Sequence, residues 1–500
     1  MGTKISQAFQ QVADRLRENK LEYSVVFAVF VFGFLFYLLV LLKNELVPMI
    51  DGPYYLIQVR SLLNTGGLVY GDPPLTFYLM SLTSVLVGDV SLGVKVGVSL
   101  FSALSTVPAY FLMKKVAKTS FAGLTAMLFI VFSAPYIRTL VDFMKNAIGV
   151  CWLFAFLYYL HDLAFSGPKK SNITLAMFFL LLTGLTHILT FGIALLFLAF
   201  YAVASLIFGV NRKQFLKSVG ILFVGVCIFI LVASVFFGDL FTDFSKAASF
   251  INEILQFQTL QPQTALATNM VPRVRPRPAT SGLGVFSLSA VGGWETVAMI
   301  LFVGATLSVY SWKKQQKEAL LLLSAATIIG VVVSFPLLPA DLLGRFLLMM
   351  VIPTTVIISY AVGKVWTLAS RDTKLVALVL LGVCTIFFAG QCFRTIEVIR
   401  PSIPIDGYND LVDMKDMVPS DSVILASRGA GLGYWVEYVE DVDILGVHEL
   451  SPQLWQTYSR VLGIFPKGQV PIMIPHKTLG AGSVYVLVEI LQRPVRPPIQ

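Results

Sequence analysis

The sequence predicts an all-α polytopic membrane domain of about eleven transmembrane helices, followed by a small C-terminal α/β domain. Three observations predict it. Of 500 residues, 56% are hydrophobic and 13% charged, against roughly 45–50% and 25% in soluble domains, so charge is too scarce to coat a soluble body. The apolar residues fall in runs of about 18–22, the length of helix that crosses a bilayer core. From about residue 395 the composition becomes that of a soluble domain.

Residues 1–23 are polar and amphipathic, with Lys4, Arg15, Arg17 and Lys20. They are expected to form an interfacial segment on the cytoplasmic side. The apolar run that follows is too long for a cleavable signal. Residues 24–393 form the expected membrane domain. Its first helix, about 24–43, leads into an outer loop, 44–91. The second helix, about 92–113, ends in Lys114, Lys115 and Lys118. Within the loop, Leu75 to Gly88 is apolar but too short to span. It is expected to be a half-buried or re-entrant helix, which requires cover from protein or a watery cavity.

Helices 3 and 4, about 119–135 and 146–165, flank an expected outer loop from Arg138 to Lys145. The long run from Ile173 to Val210 breaks at Thr186-His187 and divides into helices 5 and 6, about 173–187 and 189–209. Helix 7, about 218–237, precedes an outer loop, 239–292, whose alternating Pro and Arg at 271–278 is incompatible with helix. Helices 8 to 11 are expected at about 293–311, 318–335, 345–366 and 375–393.

The formal net charge is +9. Lys and Arg gather in short clusters between alternate apolar runs, which is the positive-inside pattern and not the footprint of a nucleic-acid binder. It places the N-terminus in the cytoplasm and the C-terminal domain, 394–500, outside. That domain shows strand-like runs at Ser422 to Ala426, Val442 to Leu445 and Val484 to Glu489. Helical stretches are expected at Asp410 to Met417 and Gln453 to Leu462. The four cysteines, Cys151, Cys227, Cys384 and Cys392, lie in or beside apolar runs without metal-ligand spacing, so no disulfide framework is expected.

Acids at an outer membrane surface are costly unless solvated, paired or bound to metal. Asp51, just past helix 1, and Asp142, before helix 4, are therefore the catalytic candidates. One is suited to deprotonate an acceptor while the other positions it or shares a divalent metal. Asp142 serves equally as a charge complement to the start of helix 4. Lys145 and Arg345, with Arg138 behind them, stand at outer helix edges against the charge trend. They either snorkel to headgroups or hold a phosphate. His187 is either a contact to substrate or metal, or a satisfied hydrogen-bonding residue. Asp72-Pro73-Pro74 reads as a rigid turn. Walker, dinucleotide-binding and HExxH motifs are absent.

These residues resemble the membrane glycosyltransferases of the GT-C fold. Asp51-Gly-Pro-Tyr-Tyr resembles the acid-containing first loop of protein mannosyltransferases, aminoarabinose transferases and oligosaccharyltransferase catalytic subunits. Gly71-Asp72-Pro73-Pro74-Leu75 resembles the Pro-Pro-Leu stretch of the first two. Arg345-Phe-Leu-Leu is similar to the segment near the lipid phosphate. In the tail, Gly433-Tyr434-Trp435 is similar to part of the Trp-Trp-Asp-Tyr-Gly region of oligosaccharyltransferases, but Arg428-Gly-Ala stands where Trp-Trp-Asp would be. That departure argues against transfer to an Asn-X-Ser/Thr sequon.

The resemblance implies an inverting glycosyltransferase with a polyprenyl- or dolichyl-phosphate sugar donor. Asp51 would be the general base; Arg345, Lys145 and Arg138 would lie at the donor phosphate; Tyr54, Tyr55 and Trp435 would lie on the acceptor side. The acceptor would be a protein, glycan or lipid, and no cofactor is required, although a divalent metal would fit. The competing expectations are a lipid or solute transporter or flippase and, among enzymes, an oligosaccharyltransferase-like activity. A transport pathway predicts polar residues at mid-membrane depth, whereas the acids here gather near one surface.

Overall fold

The computed structural model describes residues 19–167, 169–210, 212–236, 290–338, 340–368, 371–427, 431–471 and 474–491. The amphipathic segment before residue 19, the Pro-Arg stretch at 271–278 and Arg428-Gly-Ala lie outside the described residues. The chain divides into two units. One comprises residues up to Val40, Tyr70–Thr76 and Val96–Val398; the other comprises Leu41–Val69, Phe77–Lys95 and Ile399 onward.

The helices follow in order. α1 is Lys20–Leu42, α2 Gly52–Thr65, α3 Leu75–Val87, α4 Val90–Leu104, α5 Thr106–Ala117 and α6 Ser120–Val131. α7 is Ala134–Asp142, α8 Met144–Phe165, α9 Lys170–Thr186, α10 Ile188–Phe208 and α11 Arg212–Phe236. α12 is Gly293–Lys313, α13 Lys317–Val333, α14 Ala340–Leu348, α15 Val351–Thr367 and α16 Arg371–Glu397. Among the described residues eight helices are long and apolar enough to cross a membrane, or nine if the bent pair α6–α7 counts as one. This is a multi-pass integral membrane protein. The expected fifth and ninth spans are α9 and α13, each 17 residues, which at 1.5 Å per residue falls just short of a bilayer core of about 30 Å.

Two loops read from the sequence contain helix. The stretch after α1 holds α2, with Pro53 in its first turn and Gly66 at φ 76 closing it. Pro needs no N–H there, and Gly adopts the left-handed cap without strain. The Arg138 to Lys145 loop is instead the end of α7 and the start of α8. Ser133 caps α7 by accepting from the Tyr136 N–H at 3.3 Å, and Pro135 occupies its first turn. These start signals break the helix and bend the chain by 50° from α6 to α7. Tyr136 is buried, with its hydroxyl 2.9 Å from the carbonyl oxygens of both Ser102 and Ala147, which fixes α7 and α8 against α4.

In the second unit, α17 (Ile405–Met414), α18 (Leu432–Glu440) and the short α19 (Leu454–Thr457) accompany five strands. These are β1 Ser422–Leu425, β2 Asp443–Leu445, β3 Arg460–Pro466, β4 His476–Ala481 and β5 Tyr485–Ile490. Their order is β2-β1-β3-β5-β4. β1 pairs in parallel with β2 and β3, while β5 runs antiparallel to β3 and β4. Of the expected helix at Gln453 to Leu462 only the single turn α19 is helical, and the stretch runs into strand β3 at Arg460. Leu462 and Ile464 face one side, Val461 and Phe465 the other, and all four are buried. A central strand covered on both faces has no polar alternation, so its apolar run reads as helix.

Candidate active site

The membrane unit gathers one set of candidates around the junction of α7 and α8. Arg138 and Asp142 stand one helical turn apart, and the guanidinium Nη2 lies 3.0 Å from Asp142 Oδ2. Both are buried. Arg345, in the last turn of α14, is exposed, with its guanidinium carbon 5.4 Å from the centre of the Phe143 ring. It is near enough to act electrostatically on Asp142, as Arg138 does.

Lys145, in the first turn of α8, reaches Asp72 Oδ2 at 2.7 Å. The turn residue of the Pro-Pro segment is thus an ion-pair partner. Asn146 is 2% exposed, and its Oδ1 has no hydrogen-bond partner among the described residues. The set holds three cations, two carboxylates and an amide oxygen, and Tyr136 fixes the two helices, α7 and α8, that carry four of them. It suits an anion that carries further hydroxyl groups.

His187 lies at the break between α9 and α10, in extended backbone at φ −165°, and caps α10. Its Nδ1 accepts from the Leu189 N–H at 3.1 Å. That engagement occupies one ring nitrogen. Gly149 on α8 lets α10 approach closely, since a Cβ there would meet the Thr190 hydroxyl at 2.4 Å.

The second unit holds Asp51. It precedes α2 and makes no side-chain capping bond to it, although Asp at that place usually does. The turn before it is tightly held. Met49 has φ 65, a left-handed conformation that costs a non-glycine residue about 1 kcal/mol or more. Its N–H donates to the Arg400 carbonyl at 2.9 Å, and it bridges to Pro401. A Cβ at Gly52 would meet Val47 at 2.9 Å, and one at Gly431 would meet Ser402 at 2.6 Å and Ile50 at 3.4 Å. Strain held in place by surrounding contacts is characteristic of functional turns.

Tyr54 lies edge-on to Tyr434 with ring centres 5.8 Å apart, and its hydroxyl accepts from Gln58 at 3.2 Å. Tyr55 is 1% exposed and packs on Phe77. Trp435 is equally buried, with Nε1 donating to Ser402 at 3.0 Å. Of the three aromatic candidates, Tyr54 is the one left half-buried. Sequence reasoning missed Arg60, which pairs with Asp441 at 2.7 Å and covers the Tyr438 ring at 4.9 Å. It also missed the Lys145–Asp72 pair and Asn146. Among the described residues no three His, Cys, Asp or Glu side chains gather as a metal-holding group.

No protein-family model matches the chain, and no curated protein matches it significantly in sequence. Solved structures do. ArnT from Cupriavidus metallidurans in the apo state matches with a TM-score of 0.57, over 95% of this chain and 98% of that one, at 12% identity. The fold is GT-C-like. The apo oligosaccharyltransferase of Archaeoglobus fulgidus matches with a TM-score of 0.54 at 13% identity, over 85% of this chain. This chain spans 65% of that protein's length. At such low identity the likeness shows the GT-C-like fold alone.

Proposed function

We propose that this protein is a membrane glycosyltransferase that moves a sugar from a polyprenyl-phosphate carrier to an acceptor on the extracytoplasmic face, with inversion at the anomeric carbon. The observation that carries the reading is the fold shared with ArnT over nearly the full length of both chains. The basic cluster of Arg138, Lys145 and Arg345 supports it chemically. The positive-inside pattern supports the orientation, N-terminus in the cytoplasm and α/β domain outside.

In this reading the acceptor hydroxyl oxygen attacks the anomeric carbon from the side opposite the phosphate. The new C–O bond forms as the bond to the phosphate oxygen breaks, and the phosphate departs with the electron pair. The acceptor proton passes to the Asp51 carboxylate. Charge grows on the leaving phosphate, so fixed cations at that point supply much of the rate. Arg345, exposed and aligned over Phe143, is the first choice for this role. Arg138 holds Asp142 in the conformation described, and Lys145 holds Asp72; their contribution is to fix the field around that place. A donor already anchored in the membrane needs no soluble nucleotide, which accounts for a catalytic domain made of spans.

The test is sugar release from a lipid-phosphate donor in membranes containing Asp51→Asn. Loss of turnover at normal expression is the expected result. Full turnover would remove Asp51 from the reaction. Failure of every lipid-phosphate sugar to turn over with the wild-type protein would remove the reading itself.

A further inference from the structure

We infer that a cavity of about 440 Å³ in the second unit is a carbohydrate-binding site that takes a neutral saccharide. It is bounded by the turn after α1, the start of α4, and helices α17 and α18. Its chemistry comes from Glu45, Asp89, Lys95, Tyr408, Trp435 and Tyr438.

The aromatic wall is rigid. Tyr408 and Trp435 meet edge to face with ring centres 5.5 Å apart, and Trp435 meets Tyr438 at 6.2 Å. Trp435 is buried and anchored through Ser402, while the two tyrosines are half-buried and present ring surface. Arg60 lies over Tyr438 and locks that ring in place.

The polar groups of the cavity are also held in place. Lys95, buried, donates to the carbonyl oxygens of Asn44 at 2.9 Å and Glu45 at 2.7 Å, which fixes the turn that carries the Glu45 side chain. Asp89 Oδ1 accepts from the Leu92 N–H at 2.6 Å at the start of α4. Asp89 and Glu45 both act on the Tyr408 hydroxyl; burial first, and then these two carboxylates, raise its pKa. All of these groups line the one cavity. The Glu45 carboxylate and the hydroxyls of Tyr408 and Tyr438 make no hydrogen bond to another described residue.

This pattern matches a sugar more closely than other ligands of the same size. A pyranose offers apolar C–H faces to aromatic rings and hydroxyl donors at its edge, for which carboxylates and phenol oxygens are acceptors. Pockets of a few hundred Å³ with a few placed polar groups suit small ligands of this kind. Two carboxylates disfavour an anion or a purely apolar occupant. The Lys95 ammonium at the same wall disfavours a cation. The inference stands on this geometry and not on the catalytic role of Asp51; under the transferase reading the pocket would seat part of a glycan acceptor.

The experiment uses the purified full-length protein in nanodiscs, with mannotriose, chitotriose and cellotriose as probes, followed by saturation-transfer NMR and tryptophan fluorescence. At least one triose should bind saturably. Glu45→Gln, at an exposed side chain, should weaken it roughly tenfold, and Tyr408→Phe several-fold. Asp51→Asn should leave it unchanged. The inference is overturned if none of the three binds, if choline binds in their place, or if binding survives both pocket variants intact. Binding lost only in Asp51→Asn would also overturn it, while leaving the transferase reading standing.

Discussion

Lys145 Nζ lies 2.7 Å from Asp72 Oδ2, joining the first turn of α8 to the Pro-Pro segment 73 residues earlier. Both side chains are largely buried, at 13% and 5% exposure. Removing one partner of such a pair leaves a charge in a poorly solvated place, at a cost of about 3–5 kcal/mol. Asp72→Asn and Lys145→Met should therefore each lower the melting temperature of the detergent-solubilised protein markedly. The double variant should recover much of the loss. A double-mutant cycle in which the two effects simply add would show that the pair is not a structural tie.

Arg345 and Asp51 should separate in kinetics. Arg345→Ala removes a cation proposed to meet the donor phosphate, a charge-assisted bond worth about 1.5–3 kcal/mol. The donor KM should rise roughly tenfold or more, and Arg345→Lys should restore part of it. Asp51→Asn should lower kcat by roughly 100-fold or more with donor KM little changed, as expected for a proton acceptor used in the transition state. Equal effects of both variants on KM alone would contradict this division of roles.

Glu440 gives the α/β domain a pH-dependent stability. It is 6% exposed, and neither carboxyl oxygen has a hydrogen-bond partner among the described residues. Burial pushes its pKa up to about 7, against a small opposing pull from Lys415. A carboxyl whose pKa is raised on folding keeps its stability below its unfolded value. That stability is then lost as pH rises through the folded value. The domain should lose roughly 3 kcal/mol between about pH 4.5 and 7 and little beyond. Glu440→Gln should flatten this slope and melt higher than wild type at pH 8; identical melting curves across the range would refute it.

Asp410 should act with the opposite sign. Its carboxylate accepts from the N–H groups of Ser483, Val484 and Tyr485 at 2.8, 2.6 and 2.9 Å, tying α17 to the turn before β5. Burial opposes the charge, but these donors outweigh it and hold the pKa below the usual value. This stability is present above pH 3.8 and lost as pH falls through the folded pKa. Asp410→Asn should cost about 1–3 kcal/mol near neutral pH, measured by denaturation of the full protein. Gly482→Ala should be at least as damaging, because a Cβ would meet the carboxyl carbon at 2.1 Å.

Sequence alone determined the membrane class, the order of the spans and the presence of a C-terminal α/β domain. Length and apolarity of a run decide whether it can cross a bilayer, and those are local properties. It also marked Asp51, Asp142, Lys145 and Arg345 as charges that require an explanation. Only the tertiary structure decided what each charge meets. Asp72 looked like a turn residue because its partner is remote in the chain. The helix through Arg138 and Asp142 looked like a loop because its start depends on Ser133, Pro135 and the burial of Tyr136. The start of β3 was absorbed into an expected helix because a central strand is apolar on both faces and shows no alternation. Ion pairs, orphaned oxygens and cavities depend on distances between segments far apart in sequence, and no local pattern carries those distances.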